Sequence, residues 1–130
     1  MIASSSPPRM PPRIRSAPRI RQVYWCDFPD DAQLPEFWKR RPVLIFSKRS
    51  TLHGKVTVLP FTTKSQPDNP HAYSVISPLD GQRAWVICDY LTTMAVSRLH
   101  IPNKTAPRLE QDDFDRIVTL TLQGLPTSNG

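Results

Sequence analysis

Residues 41–61 read RPVLIFSKRSTLHGKVTVLPF, two apolar runs separated by a short polar stretch. The first run, PVLIFS at 42–47, is continuous, as expected of a strand buried on both faces. Pro42 is expected at its start, where a missing N–H is tolerated. Residues 50–54 turn the chain, and KVTVLPF at 55–61 is expected to return as the hairpin partner of the first run. Pro60 suggests a bulge or a strand end there.

The reading extends outward from this hairpin. Upstream, QVYWCDF at 22–28 is rich in β-branched and aromatic residues and reads as a first strand, broken by Pro29-Asp30-Asp31. A polar loop containing Pro35 then runs to Arg40. Downstream, 62–71 is a polar loop, and 72–77 and 84–88 read as two strands joined by an Asp80-Gly81 turn. A short final strand is expected at 96–101. Segment 109–123 alternates locally like a strand at Val118 to Leu122. Phe114, Ile117, Val118, Thr121 and Leu125 nevertheless fall at helical spacing, acidic residues crowd one end, and Gly124 and Pro126 close the other. A helix is the better reading. Five or six mostly sequential strands followed by one helix make a mainly-β (α+β) chain, expected as a bent sheet or small barrel with the helix over one opening.

The chain's 130 residues suffice for one domain. Residues 1–21 hold Arg9, Arg13, Arg15, Arg19 and Arg21, five prolines and no acid, and are expected to be a disordered basic arm before a domain at 22–126. The formal charge of +6 is therefore uneven: residues 22–130 carry only +1, from 12 Lys+Arg minus 11 Asp+Glu. Within the domain, ten basic residues lie at 39–104 against Asp68, Asp80 and Asp89, so one face could suit phosphates. No segment has the length and apolarity of a membrane span or a secretory signal, which points to the cytoplasm. Cys26 and Cys88 sit in apolar runs, as expected of free buried thiols. His53, His71 and His100 lack ligand spacing, which argues against zinc.

With the strands assigned, four segments resemble the MazF/PemK toxins in order and spacing from about residue 21 to 125: Arg41-Pro42-Val43-Leu44-Ile45, Pro60-Phe61-Thr62-Thr63, Trp85-Val86-Ile87-Cys88-Asp89 and Ser97-Arg98-Leu99. The resemblance implies an SH3-like barrel of the CcdB/MazF type, a homodimer, and an RNA groove across it. It also implies a cognate antitoxin whose tail fills that groove, with DNA reached only through the antitoxin complex. The implied chemistry is metal- and cofactor-independent cleavage of single-stranded RNA at short sequence motifs. The 2′-OH attacks the adjacent phosphate, leaving a cyclic phosphate and a 5′-OH.

Such cleavage needs a proton acceptor, a proton donor and positive charge on the phosphorane oxygens. Arg41 is the first candidate, since a guanidinium can make bidentate phosphate contacts while staying charged; a strand-end ion pair is the alternative. Thr62 is the second, as a hydroxyl donor, against an ordinary loop-capping Thr. Thr63 could serve either way. Glu36, five residues before Arg41, could orient it or act as base. Asp89 could ion-pair with Arg41 or read a base edge, or cap a turn. Trp38 and Phe37 beside Lys39-Arg40 interleave aromatics with cations, as single-stranded RNA binding does, or fold back as a lid. Trp25 and Trp85 are expected in the core.

Two departures from the family pattern stand out. Lys39 occupies a position where many relatives have Gly, and Asp89-Tyr90-Leu91-Thr92-Thr93 lacks a family Arg, which Lys64 or Arg83 could replace. Two rival functions remain. One is a CcdB-like toxin that binds DNA gyrase, although the chain has Gln123-Gly124-Leu125-Pro126 in place of the Trp-Gly-Ile ending of that group. The other is a catalytically idle SH3-like module with Trp38 and Tyr90 as its platform.

Overall fold

The computed structural model describes residues 6–29, 33, 37–126 and 128. The strands are β1 (Val23–Asp27), β2 (Arg40–Ile45), β3 (Lys55–Thr62), β4 (Ala72–Ile76), β5 (Arg83–Ile87), β6 (Thr92–Ala95) and β7 (Leu99–His100). A single turn of 3₁₀ helix, Val96–Arg98, precedes β7, and helix α1 (Gln111–Gln123) follows it. All pairings are antiparallel, in the order β4-β5-β3-β2-β1-β7, with β6 on β3. This is a mainly-β sheet with one C-terminal helix, as the sequence led one to expect.

Strand β3 is the hinge of the sheet. Its first half pairs with β6 from Lys55 to Val58, and its end pairs with β5 at Phe61 and Thr62. Pro60 lies inside the strand opposite Val43, not at a bulge or end. It is tolerated because on the opposite edge Leu59 and Pro60 fall between the last β6 pair and the first β5 pair, where no ladder partner requires its N–H. Pro42 is likewise within β2, paired to Trp25, while the β2–β3 ladder starts only at Val43.

Alternation along β2 and β3 feeds a core on each side of the sheet. Val43, Ile45, Val56 and Val58 join Tyr24, Cys26, Val96 and Leu99. Leu44, Leu59 and Phe61 join Val23, Val86 and the α1 residues Phe114 and Ile117 on the other face. The helical spacing in 109–123 is thus what docks α1. Cys26 and Cys88 are free and buried; burial pushes their thiols up to about 12 and about 11.

Three expectations change. The strand expected at 96–101 is a 3₁₀ turn followed by a two-residue strand, and an unexpected strand, β6, lies at Thr92–Ala95. Its residues are half or fully exposed, so no apolar alternation announces it; the Thr57–Thr93 hydroxyl bond at 2.7 Å helps to seat it. Trp25 and Trp85 are only half-buried. Residues 13–21, expected in a disordered arm, run along the domain as a strap. Ile14 is buried in the first core, and Arg13 bonds Asp27 and the Ser97 and Arg98 carbonyls. Backbone bonds from Arg21 N–H to Ile45 and from Leu109 N–H to Arg21 continue the attachment. Composition cannot register one well-seated isoleucine or a specific guanidinium site.

Candidate functional site

Beyond Val43 and Pro60 the β2–β3 ladder stops, and the strand ends part around a cleft of about 230 Å³. Trp25, Arg40, Arg41 and Pro42 line one wall; Phe61, Thr62 and Thr63 line the next. The β4–β5 hairpin closes it with Ser77, Asp80, Gln82 and Ala84. The turn of this hairpin uses Gly81 at φ 71°, in the left-handed region glycine favours. Arg41 and Thr62, each two residues beyond the last Val43–Pro60 pair, both line this cleft, while Thr62 pairs on its other side with Trp85. Two motifs distant in sequence therefore meet at one strand end.

Arg41 is half-buried. Its Nε donates to the Trp38 carbonyl at 2.9 Å, and its guanidinium carbon sits 5.0 Å from the Phe37 ring centre. Burial lowers its pKa from the usual guanidinium value, which still leaves it charged at neutral pH. Among the described residues its two terminal nitrogens have no hydrogen-bond partner, and Arg41 lines the cleft. The Thr62 hydroxyl accepts from the Lys64 backbone N–H at 3.2 Å, which orients it and leaves its own proton to give.

Arg40 donates from Nε to Asp27 Oδ1 at 3.2 Å, and Arg13 binds Oδ2 at 2.9 Å. Burial alone would raise the Asp27 carboxyl; hydrogen bonds from Arg13 and Arg40 outweigh it and hold the pKa below 3.8. His100 Nε2 lies 3.5 Å from Oδ1 without hydrogen-bond geometry. Burial, then repulsion from Arg40 and Arg13, lower its pKa below 6.5 against the pull of Asp27. Both folded-state pKa values are depressed, so both groups contribute stability that is lost on acidification. The His100 part starts to be lost as pH falls through 6.5, and the Asp27 part goes only in stronger acid. Unfolding free energy measured in urea should therefore drop between pH 7 and 5, with a shallower slope in His100→Gln; equal slopes would remove His100 as the cause.

The remaining sequence candidates divide. Thr63 lines the cleft. Trp38 is 44% exposed, with the Lys39 ammonium 3.9 Å over one face of its ring. Phe37, by contrast, folds back. It meets Phe28 at 6.1 Å and Tyr90 edge-on at 4.6 Å, and its N–H donates to the Tyr90 hydroxyl. Lys64 is exposed; Arg83, also exposed, bonds Ser74 at 2.9 Å. Asp89 is exposed past the end of β5, where Cys88 N–H bonds His71, and it forms no ion pair with Arg41 among the described residues. Glu36 lies outside the described residues. Sequence reasoning missed Trp25, Asp80 and Gln82 as cleft residues; the Asp80-Gly81 turn was visible, but not where it would land. Among the described residues, no three His, Cys, Asp or Glu side chains gather as a metal-holding group. No described helix is long and apolar enough to cross a membrane.

Lys39 has φ 71°. The left-handed backbone costs a residue with a Cβ about 1 kcal/mol, partly offset by glycine's greater freedom when unfolded. Lys39→Gly is thus expected to stabilise the fold by about 0.5 kcal/mol, read as a higher Tm. A lower Tm would contradict backbone strain at this site.

Solved structures share this fold. A crystal structure of MazF from Deinococcus radiodurans superposes with a TM-score of 0.64 at 18% identity, covering 85% of this chain and 100% of that one. An endoribonuclease in complex with its cognate antitoxin from Mycobacterial species gives 0.63 at 23% identity, covering 85% and 99%. A Deinococcus radiodurans MazE–MazF complex gives 0.61 at 16% identity, covering 86% and 100%. No curated protein matches significantly. Residues 19–122 match the family described as PemK-like, MazF-like toxin of type II toxin–antitoxin system. With that match spanning most of the chain and three of the four motifs on the expected strands, the chain belongs to the PemK/MazF-like toxin family.

Proposed function

We propose that the chain is the cytoplasmic toxin of a type II toxin–antitoxin pair, an endoribonuclease that cleaves single-stranded RNA without a metal. The observation that carries this reading is the half-buried Arg41, whose terminal nitrogens have no partner among the described residues, lining one cleft with the oriented Thr62 hydroxyl. A mycobacterial protein of the same fold is an endoribonuclease bound to its cognate antitoxin, which supports both the activity and the partner.

In the proposed reaction the 2′-oxygen attacks the neighbouring phosphorus, and the bond to the 5′-oxygen breaks. A cyclic phosphate and a 5′-OH result. Arg41 and Thr62 donate to the non-bridging oxygens as negative charge grows there, an electrostatic contribution that pre-set donors make without reorganising. Glu36 and Asp89 are the family-derived candidates for moving protons. Asp80, the one carboxylate lining the cleft among the described residues, is a third. Arg40 and Thr63 would hold flanking phosphates, Trp38 with Lys39 would stack a base, and Lys64 and Arg83 would extend the path. The functional unit is a homodimer, inhibited by an antitoxin through which alone it would contact DNA.

The test is incubation of the purified protein with long single-stranded RNA in EDTA. Discrete fragments with 5′-OH ends are expected. Intact RNA from folded, antitoxin-free protein would reject the nuclease reading and favour a protein target such as gyrase.

A further inference from the structure

The family match begins at residue 19, so residues 13–18 of the strap lie outside it. The strap's placement is specific. Asp27 is shared: Oδ1 takes Arg40 and Oδ2 takes Arg13, which brings the first strap cation beside a cation of the cleavage cleft. One carboxylate between two guanidinium groups leaves this junction net positive. Past Arg13, the strap residues 13–16 and the loop 101–106 face each other across a second groove of about 260 Å³, floored by Ile14 and Tyr24. Arg15 and Lys104 stand on opposite banks, both exposed. Neither is ion-paired among the described residues, and no Asp or Glu lines the groove.

Unpaired cations on both sides of a concave, acid-free channel suit a string of phosphates. Arg13 lines this groove and Arg40 the cleavage cleft, so their shared bond to Asp27 sets the two side by side. We propose that the groove between the strap and loop 101–106 binds the phosphate backbone of the substrate RNA beyond the cleavage cleft, with Arg15 and Lys104 as its phosphate contacts. This rests on the endoribonuclease reading and lengthens its substrate path. Anchoring Arg13 on Asp27 and Ile14 in the core holds the strap bank in position, so RNA need not order it on binding.

The test compares the full chain with the Arg15→Ala/Lys104→Ala double variant. Both changes are on the surface, so folding should be retained. The probes are 2′-O-methyl oligonucleotides, which lack the attacking hydroxyl, one short enough to fill only the cleavage cleft and one long enough to pass it. Removing two phosphate contacts should make the plot of log affinity against log salt shallower by about 1.4 for the long probe. The short probe should be unaffected, and the loss in cleaving long RNA should fall on KM, by roughly tenfold, rather than on kcat. If the wild type cuts RNA but the double variant keeps its salt slope and KM, the strap groove is wrong and the nuclease reading stands. If the wild type neither binds nor cuts RNA, both fail together.

Discussion

Arg41→Ala is expected to reduce RNA cleavage by about 10²–10³-fold, the usual cost of deleting one well-set donor to a developing oxyanion. The loss should appear in kcat, because the guanidinium matters most where charge is greatest. Folding should survive: Arg41 sits at a strand end with one side-chain hydrogen bond among the described residues, to the Trp38 carbonyl. Arg41→Lys should recover little, since an ammonium cannot offer the planar pair of donors. Thr62→Ala should be milder, about tenfold, because it removes one neutral hydroxyl donor. Rates on a defined RNA, with Tm for each variant, check the series. Full activity in a folded Arg41→Ala protein would move the chemistry away from this cleft, and restoration by lysine would reduce Arg41 to a point charge.

The second large effect concerns stability. Ile117 is completely buried where α1 meets the sheet, among Leu44, Leu59 and Phe61. Ile117→Ala removes buried apolar volume and leaves a cavity beneath the helix, beside its other buried anchor Phe114. It should cost about 3 kcal/mol, a large share of the roughly 5–15 kcal/mol that holds a domain of this size. Leu122, 58% exposed on the same helix, is the control; Leu122→Ala should change stability by less than about 0.5 kcal/mol. The readout is the urea midpoint at unchanged slope. If Ile117→Ala unfolds at the wild-type midpoint, α1 does not depend on this face for docking.

The elements most legible in the sequence were those whose periodicity reports burial. Runs 42–47 and 55–61 alternate between two cores, and the spacing of Phe114, Ile117 and Thr121 distinguished helix from strand in 109–123. Strand β6 was illegible because a short, half-exposed strand held by a threonine pair carries no apolar alternation. Trp25 and Trp85 misled because aromatic residues in strands usually fill cores, whereas these are half-buried on strands paired along both edges, Trp25 beside the cleft. At the site, Arg41, Thr62, Thr63 and Arg40 could be named from motifs at strand ends. That Phe37 turns inward while Trp38 stays exposed depends on the Tyr90 contact, fifty-three residues away.

The sequence by itself determined the strand-rich class, the closing helix, the motif order of the family and the residue types available for phosphate chemistry. Each is written in local pattern: apolar period, turn residues and spacing. Only the tertiary structure decided which of those residues meet. Arg41 and Thr62 share a cleft because the antiparallel β2–β3 pair places their strand ends together, Asp80 arrives with a distant hairpin, and Arg13 is drawn from an expected loose arm onto Asp27. Register, hairpin docking and ion-pair partners are set by contacts between segments far apart in the chain, and no local pattern encodes them.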